Sequence, residues 1–323
     1  MLFFIFISLF CFCLLVVSFR YLFVKVAFCK SSARMVGKVV IVTGGNSGIG
    51  RCTATDLARR GAKVYIASEV PISIGETAAK EIQQETGNEA VYFRKLDLSS
   101  MKSVQEFSQG ILELESEIHL LVNNAGVMLY NRQTTADGFD ATMAINYVGH
   151  FLLTLLLLER LKTSSPSRIL FTTSLMHNFD YLDFDDMMLT KHQYVLDYVR
   201  VYSKSKLADL MFARELGKRL EGCGVTVCAV NPGAVDTAII TKTFPIWAKI
   251  MLYMMKKLFF VTPVEGAQTA IHCAVSQEVE GASGYYFSCS KKTPSAYSMN
   301  DKICAELWDY TSELIKPYLK ETE

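Results

Sequence analysis

A glycine-rich string directly after an apolar run most constrains what this chain can fold into. The run is Val39–Val42, and the string that follows reads Thr43-Gly44-Gly45-Asn46-Ser47-Gly48-Ile49-Gly50. Glycines allow a tight turn and let a pyrophosphate approach the backbone where the next helix begins, because the N–H groups there have no helical partner. The spacing is T-G-x-x-x-G-x-G rather than G-x-G-x-x-G, and ordinary strand-to-helix turns also favour glycine. Its position between a strand and a helix indicates a dinucleotide site.

Apolar, strand-like runs alternate with helical patterns from Lys38 onward. The predicted strands are Val39–Val42, Val64–Ala67, Val91–Leu96, Leu120–Asn123, Ile169–Thr173 and Val225–Val230. The predicted helices include one that ends at Arg59-Arg60-Gly61, Thr77–Gln84, one that Ser99 caps, and the apolar Phe151–Leu161. This alternation predicts a single α/β domain over residues 36–323, a Rossmann-like, doubly wound parallel sheet with helices on both faces.

The composition excludes several classes of function. The chain has 323 residues, half of them apolar, which is enough for a sizeable core. Its net charge of +1 gives no reason to expect a nucleic-acid partner. The nine cysteines are odd in number and form no C-x-x-C pair, so we expect no metal and interpret them as free thiols or small core residues.

The N-terminus predicts a membrane anchor over residues 1–30. Leu2–Phe19 carries no charge, and its length as a helix nearly crosses a hydrocarbon core of about 30 Å. The alternative is a cleaved signal peptide, for which Ser31-Ser32-Ala33 is a weak cleavage site, but the charged n-region is missing. Cations follow the apolar run at Arg20, Lys25, Lys30 and Arg34. They place the rest of the chain in the cytosol.

A second apolar stretch, Phe244–Phe260, is too short and too charged to predict another span. Two interpretations stay open. It is a buried helix, or it is a lipophilic lid that lies near the bilayer.

Tyr202 and Lys206 lie four residues apart in a pattern that predicts a helix through Leu220. They therefore share one helix face. A free phenol ionises at a pH of about 10, and a nearby ammonium stabilises the phenolate that acid–base chemistry requires. Taken alone, such a pair is common on a solvated helix.

Other polar residues are predicted at the same edge of the sheet. Ser174 follows the strand Ile169–Thr173, and Asn146 begins the run into the apolar helix. Asn123-Asn124-Ala125-Gly126 ends one strand, and Asn231-Pro232-Gly233 ends another, with Thr237 beyond it. Open α/β sheets bind ligands at the carboxyl ends of their strands. Together with the pair on the helix, these residues predict hydride transfer between a nicotinamide and an alcohol or carbonyl carbon.

The chain resembles a known family over most of its length. From about Gly37 to about Phe287 it resembles a classical short-chain dehydrogenase/reductase, and from the anchor almost to the C-terminus it resembles the membrane-anchored retinol dehydrogenase branch. The strings that carry the resemblance are Gly37-Lys38-Val39-Val40, Arg94-Lys95-Leu96-Asp97-Leu98, Asn123-Asn124-Ala125-Gly126-Val127-Met128, Gly149-His150-Phe151-Leu152-Leu153-Thr154, Ser203-Lys204-Ser205-Lys206-Leu207-Ala208 and Glu265-Gly266-Ala267-Gln268-Thr269.

The resemblance implies a role for each catalytic candidate. Tyr202 is the general acid in reduction and the base in oxidation, Lys206 supports its phenolate and holds the nicotinamide ribose, and Ser174 hydrogen-bonds the reacting oxygen. Asn146 holds a water that links Lys206 to the bulk. The implied cofactor-binding residues are Gly44, Asn46, Ser47, Gly48, Ile49, Gly50, Arg51, Glu69, Asp97, Leu98, Asn123, Ala125, Gly126, Tyr202, Lys206, Pro232, Gly233 and Thr237. Among them, Asp97 and Leu98 contact the adenine.

The signals for the cofactor conflict. In the branch, an arginine usually follows the second strand and pairs with the 2′-phosphate of NADP. This chain has Glu69 there, with one apparent extra residue before Pro71. Glu69 suits the ribose hydroxyl of NAD, whereas Arg51 after the glycine loop could bind a phosphate. Both NADP and NAD therefore stay open.

The sequence thus predicts an NAD(P)-dependent oxidoreductase of a lipophilic alcohol and its aldehyde or ketone, retinoid-like first. The alternatives are a sterol or fatty-aldehyde oxidoreductase, and a catalytically silent dinucleotide-binding sensor or scaffold. Such silent proteins often lose the tyrosine or the lysine, and this chain keeps both Tyr202 and Lys206. We expect a lipophilic small molecule and the membrane as partners, and a homodimer is compatible with the sequence. The expected location is the endoplasmic reticulum membrane, with the catalytic domain in the cytosol.

Overall fold

A computed structural model describes residues 26–190, 196–236, 260–293 and 300–319. Its strands form one eight-stranded sheet in the order β3-β2-β1-β4-β5-β6-β7-β8. The strands are β1 (Val39–Thr43), β2 (Lys63–Ser68), β3 (Val91–Lys95), β4 (Leu120–Asn123), β5 (Ser167–Thr172), β6 (Val225–Asn231), β7 (Tyr285–Ser288) and β8 (Lys291–Lys292). β1 to β7 pair in parallel, and β8 is antiparallel to β7. The strand order reverses between β1 and β4, where such sheets bind ligands.

Helices cover both faces of this sheet. They are α1 (Gly48–Arg59), α2 (Ile72–Thr86), α3 (Met101–Leu114), α4 (Ala141–Thr163), α5 (Asp197–Arg219), α6 (Pro263–Val275) and α7 (Asp301–Leu319). Within α4, Ala144–Val148 forms a π-helical turn. Side chains alternate along the strands, so Ile41 joins the core under α3, α4, α5 and α7, whereas Val40 and Val42 join the core under α1, α2 and α6. The predicted doubly wound α/β fold is confirmed.

Several predicted boundaries differ from the structure. The six predicted strands are all present, within two residues at each end. α2 begins at Ile72, five residues before Thr77, and Pro71 precedes its first turn. The sequence predicted Ser99 as the cap of α3, but the cap is Ser100. The Ser100 side chain accepts a hydrogen bond from Ser103 N, whereas the Ser99 hydroxyl donates to Asp97.

Three sequence predictions fall on residues outside the described part of the chain. They are the span Leu2–Phe19, the stretch Phe244–Phe260 apart from Phe260, and Thr237. Within the described part, α4 is the one helix long and apolar enough to cross a membrane. Most of that helix is buried inside the protein, so it is a core helix here.

Candidate active site at the carboxyl edge of the sheet

The loop between β1 and α1 has the shape of an anion cradle. Gly44 and Gly48 have φ of 65° and 56°, in the left-handed region that glycine adopts without strain. Ser47 precedes α1 without capping it through its side chain, so the N–H groups of the first turn lack that partner. A Cβ at Gly50 would overlap Gly44 O and Asn124 Nδ2. These features fit the pyrophosphate of a dinucleotide, which carries charge and needs close access to the backbone.

Thr43 ties the glycine loop to the end of β4. Its Oγ1 accepts hydrogen bonds from Asn124 N at 2.8 Å and Ala125 N at 3.0 Å. Asn124 Nδ2 donates back to Thr43 O at 2.9 Å. The loops after β1 and β4 are therefore held side by side, across the point where the strand order reverses.

A buried histidine extends this network into α4. His150 Nδ1 lies 2.8 Å from Asn146 O, and Nε2 lies 2.9 Å from Thr43 Oγ1. Burial lowers the pKa of His150 to about 3, so the ring is neutral. Because a carbonyl only accepts, Nδ1 carries the proton and Nε2 accepts from the Thr43 hydroxyl. Sequence analysis assigned no role to His150, although its position four residues after Asn146 placed both on one helix face.

Asn146 joins the loop after β4 to α5. Its Oδ1 accepts from Val127 N at 2.8 Å, and its Nδ2 donates to Val127 O at 3.0 Å and to Ser205 Oγ at 2.9 Å. The side-chain amide thus pairs with Val127 as a neighbouring strand would. Asn146 lies in the π-helical turn of α4, a kind of irregularity that is frequent at functional sites.

The lysine of the predicted pair is buried and held in place by the end of β5. Only 4% of Lys206 is exposed. Its Nζ donates to Thr172 O at 2.8 Å and to Asp209 Oδ2 at 2.9 Å, and its backbone oxygen accepts from Thr173 Oγ1 at 2.8 Å. Tyr202 lies one turn earlier on α5 and is half-buried. The ammonium is therefore fixed directly beside the residues that precede Ser174.

Ser174 stands where β5 ends, as the sequence predicted. It is half-buried, and its Oγ accepts from Met176 N at 3.2 Å at the start of the short 3-10 helix Leu175–Asn178. Gly126 lies beside two other candidates, since a Cβ there would lie 3.5 Å from Asn146 Oδ1 and 3.6 Å from Lys206 Nζ. Serine, lysine and asparagine candidates thus converge at one edge of the sheet.

Asp209 is a site residue that sequence analysis missed. It lies one turn after Lys206 and is almost fully buried. Its Oδ1 has no hydrogen-bond partner among the described residues. Burial raises the pKa of Asp209 to about 6, and the Lys206 ammonium opposes that rise. The i,i+3 spacing from Lys206 was the available signal.

The remaining cofactor candidates follow strands or begin a helix at the same carboxyl edge of the sheet. Glu69 follows β2 and is exposed, and Arg51 pairs with Glu81 on α2 at 2.7 Å. Leu98 is buried, and Asp97 Oδ1 accepts from Ser99 N and Oγ at 2.9 and 2.6 Å.

Two further candidates differ in how open they are. Asn123 is buried, with its Nδ2 donating to Thr154 at 3.1 Å. Gly233 has φ of 80° with open space where a Cβ would be.

Comparison with known proteins agrees with this geometry. Residues 38–184 match the family described as short chain dehydrogenase. The chain is 46% identical to Retinol dehydrogenase 12 of Bos taurus over 288 residues, which covers 89% of each chain. It is 44% identical to Retinol dehydrogenase 11 of Homo sapiens over 289 residues, covering 89% of this chain and 88% of that one.

Solved structures show the same fold. A crystal structure of an uncharacterized protein from Mycobacterium Paratuberculosis is 28% identical, with a TM-score of 0.72, over 90% of this chain and 98% of that one. A short chain dehydrogenase from Burkholderia cenocepacia in complex with NADP is 23% identical, with a TM-score of 0.62, over 79% of this chain and 97% of that one. The dinucleotide cradle, the edge site and these similarities show that the chain belongs to the short-chain dehydrogenase family, as an NAD(P)-dependent oxidoreductase acting on CH–OH groups.

Proposed function

We propose that this enzyme interconverts a lipophilic alcohol and its aldehyde or ketone, with a retinoid as the first candidate substrate. The observation that carries the proposal is the apolar surface around Ser174. Leu175, directly after this serine, is 51% exposed, and Phe179, five residues after it, is 71% exposed. Exposed apolar side chains next to a polar reaction centre suit a substrate that is apolar except at its reacting oxygen. The similarity to retinol dehydrogenases supports the same choice.

The chain's own residues would handle the proton. In reduction, the Tyr202 phenol donates a proton to the carbonyl oxygen while the Ser174 hydroxyl donates a hydrogen bond to it. In oxidation, Tyr202 takes the proton from the alcohol. The chemistry that a bound nicotinamide would supply here is hydride transfer to or from the carbon atom.

Within the described part of the chain, the Lys206 ammonium keeps one donor for these tasks. An ammonium carries three hydrogens. Among the described residues, Thr172 O and Asp209 Oδ2 take two of them. The third is available for a ribose hydroxyl or for a water that leads to bulk solvent. Asn146 would keep the loop after β4 in register with α5 through its bonds to Val127 and Ser205.

The cofactor cleft accepts either dinucleotide in this proposal. The glycine loop would hold the pyrophosphate in both cases. Glu69 favours the ribose hydroxyls of NAD, and Arg51 favours the 2′-phosphate of NADP. Arg51 Nη1 forms an ion pair with Glu81, so the other guanidinium nitrogens can bind a phosphate.

A substrate panel tests the proposed class. The full chain in detergent micelles would be assayed with retinal, a fatty aldehyde and a sterol ketone, each with NADPH and with NADH. We expect retinal to give the highest kcat/KM, by at least about tenfold, which corresponds to about 1.4 kcal/mol. A higher kcat/KM for the sterol ketone or the fatty aldehyde would overturn the retinoid assignment.

A further inference from the structure

The segment of residues 26–36, here called the strap, lies along the catalytic domain. Ser290 Oγ donates to Ala27 O at 3.0 Å, and Cys29 N donates to Gln268 Oε1 at 3.0 Å. Cys29, Ala33 and Met35 pack against the core under α1 and α6. The chain in front of the domain is therefore attached to it from residue 27 onward.

Arg60 fixes the other end of the strap. Its Nη1 donates to Ser31 O at 2.8 Å and to Ala33 O at 2.9 Å, and its backbone oxygen accepts from Met35 N at 2.9 Å. The Arg60 guanidinium is also paired with Asp56. Arg60 lies directly after α1, so the strap is tied to the amino edge of the sheet here.

The strap has a definite direction. α6 connects the parallel strands β6 and β7, so it runs from the carboxyl edge of the sheet to the amino edge. Cys29 bonds to Gln268 in the first half of α6, and Ser31 Oγ donates to Val275 O at its end, at 3.3 Å. The strap thus follows α6 in the same direction. Toward the N-terminus it leads to Ala27, beside Ser290 and the carboxyl end of β7.

This geometry favours a bilayer at the carboxyl edge of the sheet. If Leu2–Phe19 spans the membrane, residues 20–26 reach at most about 25 Å, even fully extended. A bilayer under the amino edge would require this linker to run back along α6, which is about 20 Å long. A bilayer at the carboxyl edge requires no such return.

The carboxyl edge also carries apolar side chains that lack cover among the described residues. Phe179 follows β5, Leu196 precedes α5 and is 61% exposed, and Val264 lies at the start of α6. Phe28 is exposed in the strap itself. The exposed Lys291 lies one residue beyond the Ala27–Ser290 contact, where an ammonium suits the phosphate of a lipid headgroup.

We propose that the strap holds the carboxyl edge of the sheet, and with it the mouth of the active site, against the lipid bilayer. The proposal rests on the anchor that the sequence predicts and deepens the proposed function. The apolar edge side chains would dip into the interface, so a lipophilic substrate passes from the bilayer to Ser174 without crossing water.

Site-specific cross-linking to lipid tests this orientation. The full chain is reconstituted in phosphatidylcholine vesicles with p-benzoylphenylalanine at position 179 or, as a matched control, at position 114. Leu114 is 54% exposed and ends α3 at the amino edge. We expect cross-links to acyl chains at position 179 to exceed those at position 114 by at least about fivefold.

A second pair of variants tests the strap. The double variant Arg60→Met, Gln268→Ala removes the hydrogen bonds that these two side chains make to the strap. The control is the double variant Arg59→Met, Gln268→Ala, because Arg59 pairs with Glu85 and not with the strap. We expect the first variant to lose at least about threefold of the cross-linking at position 179 and the control to lose less.

Equal or reversed cross-linking at positions 179 and 114 would overturn the proposal. If the chain does not float with vesicles, both this proposal and the predicted N-terminal anchor are wrong. These readouts do not involve a substrate, so a failed retinoid assignment leaves them unchanged.

Discussion

Replacing Asp209 by asparagine isolates the effect of a carboxylate buried beside Lys206. Asp209 Oδ2 lies 2.9 Å from Lys206 Nζ. The Asp209 charge also helps to raise the pKa of the Tyr147 phenol on α4, although burial is the main cause. Burial raises the pKa of Asp209 from 3.8 to about 6. Between these two values the folded chain binds more protons than the unfolded chain, so stability falls as the pH rises through this window.

The magnitude follows from the shift. A difference of about two pH units, at 1.36 kcal/mol each, corresponds to about 3 kcal/mol. We expect this contribution to the free energy of unfolding to be fully present below about pH 4 and lost above about pH 6. Asparagine has nearly the same shape but does not titrate, so the variant lacks this pH dependence.

The assay is urea unfolding of the full chain in detergent, at intervals from pH 4 to pH 8. The informative quantity is the difference in unfolding free energy between wild type and Asp209→Asn, because titrating groups that do not contact Asp209 cancel in it. We expect that difference to change by about 3 kcal/mol between pH 4 and pH 7. A difference that stays constant within about 0.5 kcal/mol would show that Asp209 is solvated and would refute the reasoning.

Three further predictions concern the cofactor cleft and the anchor. Gly50→Ala should weaken NADPH binding at least about tenfold, because the added methyl overlaps Gly44 O. The affinity is measured by NADPH fluorescence, and an unchanged value would show that Gly50 is not part of the phosphate cradle. Glu69→Arg should raise the ratio of kcat/KM for NADPH over NADH, and Arg51→Ala should lower that ratio. If the ratio stays constant in both variants, neither side chain lies at the cofactor. Deleting residues 1–25 should move the chain from the membrane pellet to the supernatant while the strap contacts remain, and a deleted chain that still sediments with membranes would contradict the anchor.

Much of the fold and the core of the site could be predicted because their signals are local in the sequence. The glycine loop between Thr43 and Gly50 needs only a strand before it and a helix after it to place a phosphate site. Ser174 and Gly126 each follow an apolar strand, and parallel strands bring their carboxyl ends together. The placement of these residues in one site followed from topology alone.

The parts that were missed depend on contacts between distant segments. β7 is a short strand, Tyr285–Ser288, and its pairing with β6 joins residues more than fifty positions apart. The contact of His150 with Thr43 joins residues 107 positions apart. Asp209 was overlooked because a carboxylate one turn from a lysine is normally an exposed helix pair, and only burial makes it part of the site.

Turnover by Tyr202→Phe, measured together with dinucleotide affinity, tests the central claim most directly. The phenol supplies the proton but contributes little to holding the cofactor. We expect turnover of the best substrate to fall by about 10²–10⁴-fold, the usual contribution of general acid–base catalysis. NADPH affinity should change by less than about threefold, or about 0.7 kcal/mol. Near-normal turnover in this variant would contradict the account, because the proton would then come from another group.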